Sequence, residues 1–368
     1  MSTAAQAPVR RHPLHACIGA AFATALTLGT AQAAGEPPDP TFDKTSYGDM
    51  QFPAAFPDGT SISITQWSHF VPRYDKWFKQ YAEAWGDAHN VDVTVNFINI
   101  AEVPSTLSAS IAAGEGPTLF EMNAPPTSYI EGLKPLDDVN RAAAQAFGER
   151  AGTCERSSYL PAKDIWYGFC HGWVPDPGDY RRSLWQEAGY PEGPKTYADL
   201  REGGRKIFEN TGIPVAVGMS PEIDSEFYAR ALIWSHGGSI QDDDGNVTFD
   251  SPEVVEAVKY QQKLYNDAMT PEVFAWNAGS NNQTFIAGQA SYIQNSISFY
   301  RSAQEAAPEV AADTGFRPGL KGPRGDKKMP AHVWFIHTMP DYVTDEDKIA
   351  AAKKFMLDLE NNYASASY

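Results

Sequence analysis

The sequence predicts an α/β protein of two domains, and three observations carry that prediction. The chain has 368 residues, more than one core of ordinary size accommodates. Between Thr60 and Asn123, strand-like and helix-like patterns alternate, the signature of a parallel sheet flanked by helices. Hydrophobic residues make up 42% and aromatic residues 12%, enough to fill large cores and to exclude global disorder.

Ser61-Ile62-Ser63-Ile64-Thr65-Gln66-Trp67 alternates with period two and reads as the first strand, running into Ser68 and His69. Trp77, Phe78, Tyr81 and Trp85 recur at helical spacing. Val91–Phe97 is a second strand. Thr106–Ala113 is a helix stopped by Gly114, and the stretch Gly114–Asn123 supplies a third strand. In parallel sheets the carboxyl ends of the strands face the ligand crevice. Two such ends deliver Trp67-Ser68-His69 and Met122-Asn123-Ala124.

Three downstream stretches extend the pattern: Gly189–Leu200 ("GYPEGPKTYADL"), Asp244–Glu253 ("DGNVTFDSPE") and Phe285–Ala290 ("FIAGQA"). Together with Leu133-Lys134-Pro135-Leu136-Asp137-Asp138, their order resembles that of the extracellular solute-binding proteins of ABC importers, in the carbohydrate-binding family that includes maltose-binding protein. The resemblance covers roughly nine-tenths of the chain left after export. It implies a two-lobed periplasmic-binding-protein fold, each lobe a mainly parallel sheet flanked by helices, with a hinge between them. The implied division is a signal peptide at 1–33, an extended leader at 34–58, a first lobe at 59–150, a second lobe at 151–313 and a return to the first lobe at 314–368.

The N-terminus has the form of an export signal. Arg10 and Arg11 precede the apolar run Ala16–Thr30, and Ala31-Gln32-Ala33 fits cleavage ahead of Ala34. The run is too short for a permanent anchor. A twin-arginine route is the alternative to the general one, and a buried core helix is the alternative to a signal. Leu14-His15-Ala16-Cys17 precedes the apolar run rather than following it, which excludes a lipid anchor. The formal net charge is −17 and disfavours nucleic acid as a partner. Cys17 leaves with the signal, so Cys154 and Cys170 remain, and in an oxidising compartment they are expected to form one disulfide rather than two free thiols. The leader Glu36–Pro57, rich in Pro, Asp and Gly, reads as an extended or poorly ordered arm.

Within the resemblance, the aromatic stretch Trp166–Pro175 is the crossing strand of the hinge, and Tyr180–Ala188 matches a helix that usually opens with a tyrosine-asparagine pair, here Tyr180-Arg181. The second lobe then reads as helix Tyr197–Asn210, strand Ile213–Val217 and helix Asp224–Ser235. A hairpin at Asp242–Asn246 follows, lacking the ligand spacing of a calcium loop. Helix Pro252–Met269 comes next, with Val255, Val258, Tyr265 and Ala268 as its core face. Ala290–Asn295 is a short strand. Ala331–Ile336 is a strand beside the hinge, and Thr344–Glu360 is a helix capped by Thr344. The family crosses once more and adds helices to the second lobe. This chain ends at Asn361–Tyr368, which leads to the expectation of a truncated form or fragment with uncovered apolar surface on that lobe.

No nucleophile elbow, zinc-protease helix or phosphate loop is present, so no catalytic residue, cofactor or metal is assigned; Cys170-His171 alone is no zinc motif. The visible chemistry is that of recognition. Sugars offer apolar C–H faces to aromatic rings and hydroxyls to polar side chains. Trp67, Ser68, His69, Asn123, His171, Trp173, Trp276, Asn295, His332 and Trp334 are the candidate ligand contacts, each weighed against ordinary packing. Phe299 or Tyr300 stands where the family places a tryptophan platform. The expected partners are a sugar, oligosaccharide or polyol and the permease subunits of a membrane importer, the chain itself acting as a monomer. A secreted carbohydrate-active enzyme with a carboxylate pair, or a binder of another solute such as a polyamine, are the competing readings.

Overall fold

The computed structural model describes residues 38–242, 244–324 and 331–366, with backbone alone for Ala331 and His332. The expected export segment 1–33, its expected cleavage site and the last two residues, Ser367 and Tyr368, lie outside the described residues. No helix among the described residues is long and apolar enough to cross a membrane.

The first lobe is built on a five-stranded sheet ordered Asp92–Ile98, Ser61–Trp67, Leu119–Met122, Ala331–Thr338, Phe169–Pro175. The first three run parallel and are joined through helices Pro72–His89 and Val103–Ala113, because parallel neighbours need a crossover. Helix Pro72–His89 starts on a proline and buries Tyr74, Trp77, Phe78, Tyr81 and Trp85, one face at the expected spacing. Gly114 closes the second helix in the left-handed region (φ 71°), as a glycine is suited to do. The strand Ala331–Thr338 runs antiparallel to both of its neighbours.

The leader is not a loose arm. From residue 38 it folds against the first lobe, with a hairpin of Ser46–Tyr47 and Met50–Gln51. Tyr47, Phe52 and Phe56 enter the core, where Tyr47 and Trp85 donate to the carboxylate of Asp358. The composition suggested a coil, but aromatics spaced through it contribute enough apolar area to fix the chain. Lys354, fully buried in helix Glu346–Asn361, lies 3.0 Å from the same carboxylate and donates to the carbonyl of Lys44. That helix is capped by Asp345, which accepts from the amide of Lys348, one residue later than the expected Thr344.

The second lobe departs from a mainly parallel sheet. Its three strands, Tyr292–Gln294, Gly178–Arg181 and Thr314–Arg317, pair antiparallel. The expected strand Ile213–Val217 joins only through a parallel bridge from Val215 to Tyr292, next to Pro214, which has no N–H to donate. Helices Tyr197–Thr211, Ile223–Ser235 and Pro252–Ala268 cover it. The last of these buries Val254, Ala257, Leu264 and Ala268, leaving Val255 and Val258 exposed at 42% and 58%. Two apolar stripes compete there, and the one with small residues wins because it admits a close neighbour. A Cβ on Gly204 of helix Tyr197–Thr211 would lie 3.4 Å from that of Ala268.

The strand Phe169–Pro175 belongs to the first sheet, so the first crossing falls at Asp176–Pro177, later than residue 151. The strand Thr314–Arg317 belongs to the second sheet, and Arg324 still pairs with Glu253 of that lobe, so the return comes after Arg324 rather than at 314. Cys154 and Cys170 form a disulfide that ties helix Gly152–Ser158 to the crossing strand.

Candidate ligand-binding cleft

The carboxyl ends of the first-lobe strands meet the second lobe across a narrow cleft of about 70 Å³. One wall is aromatic, with Trp67, His69, Tyr74 and Phe335. His69 stacks on Tyr74 and Phe335 at centroid distances of 4.4 and 4.7 Å, and Trp67 lies 5.8 Å from Phe335. The opposite wall carries the polar set Asp224, Asn282, Asn295, Ser296 and Arg301, interspersed with Ile223, Ala278 and Ile297. Asn281 donates to Asp224 at 2.8 Å, and Asn295 donates to Asn281 and Asn282 at 2.9 and 2.5 Å. These side chains are locked by one another before any solute arrives. The lobes touch where the Ser302 hydroxyl donates to the carbonyl of Phe70 at 2.9 Å. Phe70 itself takes a left-handed φ of 55°, an unusual conformation for a bulky residue and one that marks this loop.

Beneath the aromatic wall lies a fully buried carboxylate, Glu121. His69 Nε2 donates to one of its oxygens at 2.6 Å and His171 Nε2 to the other at 3.1 Å. Burial pushes the Glu121 carboxyl up, against the opposing pull of His171. Burial likewise pushes His69 down to about 3, His171 to about 4 and His337 to about 3, so the imidazoles are neutral at physiological pH.

Of the residues picked from sequence, Trp67, His69 and Asn295 line the cleft. Ser68 donates to Asp75 in the first turn of its helix, and Asn123 contributes its carbonyl to the amide of Trp334. His171 sits under the floor rather than at it. Trp173 and Trp334 face one another across adjacent strands outside the cleft, and Trp334 donates to Thr153. Trp276 packs between second-lobe clusters. Phe299 is sealed in the core against Phe285, and Tyr300 rests on Phe316, so neither ring lines the cleft. The side chain of His332 is outside the described residues. The sequence reading missed Phe335, Tyr74, Asp224, Asn282 and Arg301. Phe335 was within reach: on a strand, Val333 and Phe335 share a face and Trp334 takes the other.

Two α/β lobes joined by crossing segments around a cleft, with an aromatic wall facing one that carries a set of polar side chains, define a two-lobed solute-binding protein. A model of the bacterial extracellular solute-binding protein family matches residues 76–362, and the chain belongs to that family. A Deinococcus radiodurans protein named as a probable ABC transporter-binding protein is 28% identical over 171 residues, 44% of this chain and 41% of the relative. A binding protein of Brucella abortus is 25% identical over 149 residues, 40% of this chain and 36% of the relative. The chain thus spans about two fifths of the length of the curated relatives it matches.

Among solved structures, maltose-bound MalE3 of T. maritima superposes with a TM-score of 0.73 at 19% identity, over 84% of this chain and 80% of that one. A solute-binding protein of an ABC transporter from Agrobacterium radiobacter K84, in complex with ribitol, gives 0.71 at 18% over the same shares. One from Agrobacterium vitis S4 with bound D-mannitol gives 0.65 at 17%, over 84% and 73%. At such identities the likeness is one of fold.

Proposed function

We propose that the chain is the substrate-binding component of an ABC importer, taking a sugar or polyol into the cleft between its lobes and delivering it to a membrane permease. The observation that carries this reading is the cleft's two unlike walls, Trp67, Tyr74 and Phe335 facing Asp224, Asn282, Asn295 and Arg301. The rings suit the C–H face of a carbohydrate, and the polar set suits its hydroxyls. Family membership supports the importer role, and maltose, ribitol and D-mannitol in proteins of the same fold support the solute class. A cleft of about 70 Å³ is far below the roughly 300–1,000 Å³ of ligand pockets, so the lobes part before a solute enters. The protein works as a monomer, and closure on the solute is what the permease reads.

A thermal-shift screen of sugars and polyols, followed by calorimetry, tests the reading. A true ligand at about a hundred times its dissociation constant adds about 2.7 kcal/mol of stability. Stabilisation by polyamines alone would move the solute class. Turnover of a glycoside panel would replace the binding role with an enzymatic one.

A further inference from the structure

We propose that Glu121, His171 and His337 form a binding site for one divalent cation of the zinc type beneath the cleft floor. The proposal does not depend on the identity of the solute. The three side chains come from adjacent strands of the first-lobe sheet, and their donor atoms all lie within 4.8 Å of one another. His337 stands opposite Glu121 in the antiparallel ladder. On the other side the register shifts between Phe335 and Ile336, which pair with Gly172 and Cys170 and leave His171 as the extra residue. A bulge of this kind re-aims a side chain, and here it turns the imidazole toward Glu121 and His337. The two rings lie 4.6 Å apart, centroid to centroid.

A second observation points to an absent ligand. All three residues are buried, and among the described residues neither ring nitrogen of His337 nor Nδ1 of His171 has a hydrogen-bond partner. Buried polar atoms are normally satisfied, and His337, an imidazole with neither nitrogen partnered beside a carboxylate and a second histidine, calls for a ligand. A divalent cation takes one nitrogen of each ring, so it gives His337 its missing partner, and it favours the ionised form of the carboxylate that it binds. Two ligands on one tetrahedral zinc stand about 3.3–3.6 Å apart, given zinc–nitrogen and zinc–oxygen bonds of about 2.0–2.2 Å, so donor atoms spread over as much as 4.8 Å draw together on binding. His171 Nε2 and Glu121 Oε1 stand at 3.1 Å. On binding, the proton of His171 moves from Nε2 to the unpartnered Nδ1, and Nε2 turns its lone pair to the metal. Two imidazoles and a carboxylate leave a fourth position open and suit zinc rather than calcium or magnesium. His69, on the remaining oxygen of Glu121, is the outer-shell group that orients the carboxylate. Because the cluster is sealed, the cation is taken up as the first lobe folds.

The test uses untagged protein with its disulfide intact, unfolded with a chelator, freed of it and refolded with zinc or cobalt. After gel filtration, elemental analysis should find one zinc per chain, and the cobalt form should show the visible absorption of a four-coordinate site. Glu121→Gln and His337→Gln should abolish the equivalent, and His171→Gln should do the same. His69→Gln should weaken binding by about 10–100-fold. His236→Gln, a buried histidine of the second lobe, should retain the metal. Refolded wild-type protein that holds no zinc overturns the proposal whatever the variants do. Zinc that persists in Glu121→Gln and His337→Gln also overturns it and marks an adventitious surface ion.

Discussion

Asp358→Asn is the substitution from which the fold stands to lose most for the smallest change of shape. Asp358 is fully buried, accepts from Tyr47 and from Trp85 at 2.7 Å, and lies 3.0 Å from the ammonium of the equally buried Lys354. Removing one member of such a pair strands the other charge, at a cost of about 3–5 kcal/mol. The double change Lys354→Met with Asp358→Asn removes both charges and should cost less than Asp358→Asn alone, since a buried ion pair is often replaceable by apolar groups. Urea unfolding followed by circular dichroism measures Asp358→Asn, Lys354→Met and the double variant against wild type. A loss below about 1 kcal/mol for Asp358→Asn, or a double variant as costly as the sum of the singles, would refute the reasoning. The pH dependence is a further check. Burial alone would raise the Asp358 carboxyl, but His89, Lys354, Tyr47 and Trp85 together hold it below the usual carboxylate value. A depressed folded value means that the stabilisation is present above the unfolded value of about 3.9 and is lost as pH falls through the folded one. Wild type should therefore shed, below about pH 4, a stability increment that Asp358→Asn never had.

Other outcomes follow from the same geometry. Trp67→Ala and Asn295→Ala should each weaken sugar or polyol binding with unfolding still cooperative; unchanged affinity in both would misplace the cleft walls. Ser302→Ala removes a neutral contact that joins the lobes, so affinity should fall by about 2–12-fold, the equivalent of about 0.5–1.5 kcal/mol, and small-angle scattering of the unliganded protein should show a larger radius of gyration. No change in either quantity would remove that contact from the closure. Reduction of Cys154–Cys170, which closes a loop with a sequence separation of 16, should cost about 3 kcal/mol; equal stability of the two forms would show that the link constrains nothing in the unfolded chain.

The sequence was legible where one period dominated. Ser61–Trp67 and the Trp77–Trp85 face emerged as read, and the strand expected at Val91–Phe97 lies one residue later, at Asp92–Ile98, because period-two and period-3.6 patterns there have no competitor. In Pro252–Ala268 two apolar stripes fit one helix, and the neighbouring helix decided between them. Trp334 drew attention by its size, yet the strand's pleat sends Phe335 into the cleft. Asp224 and Asn282 carry no local signal at all. Their meeting with Asn295 depends on how a helix start, a helix turn and a strand end converge. Glu121, His171 and His337 show the same limit more sharply: their partnership rests on strand order and one register shift, neither of which leaves a spacing in the chain.

The strap at the start of the described chain has a consequence in time rather than in space. Thr41 and Asn362 exchange hydrogen bonds although 321 residues separate them, and Tyr47 and Trp85 wait on Asp358. The first lobe cannot finish its core until its last helix exists. Contacts of such long range make folding slow. Until Glu346–Asn361 docks, the N-terminal segment has neither Asp358 nor Asn362 to hold it, so the order in which this lobe becomes stable is set by the later element and not by the earlier one.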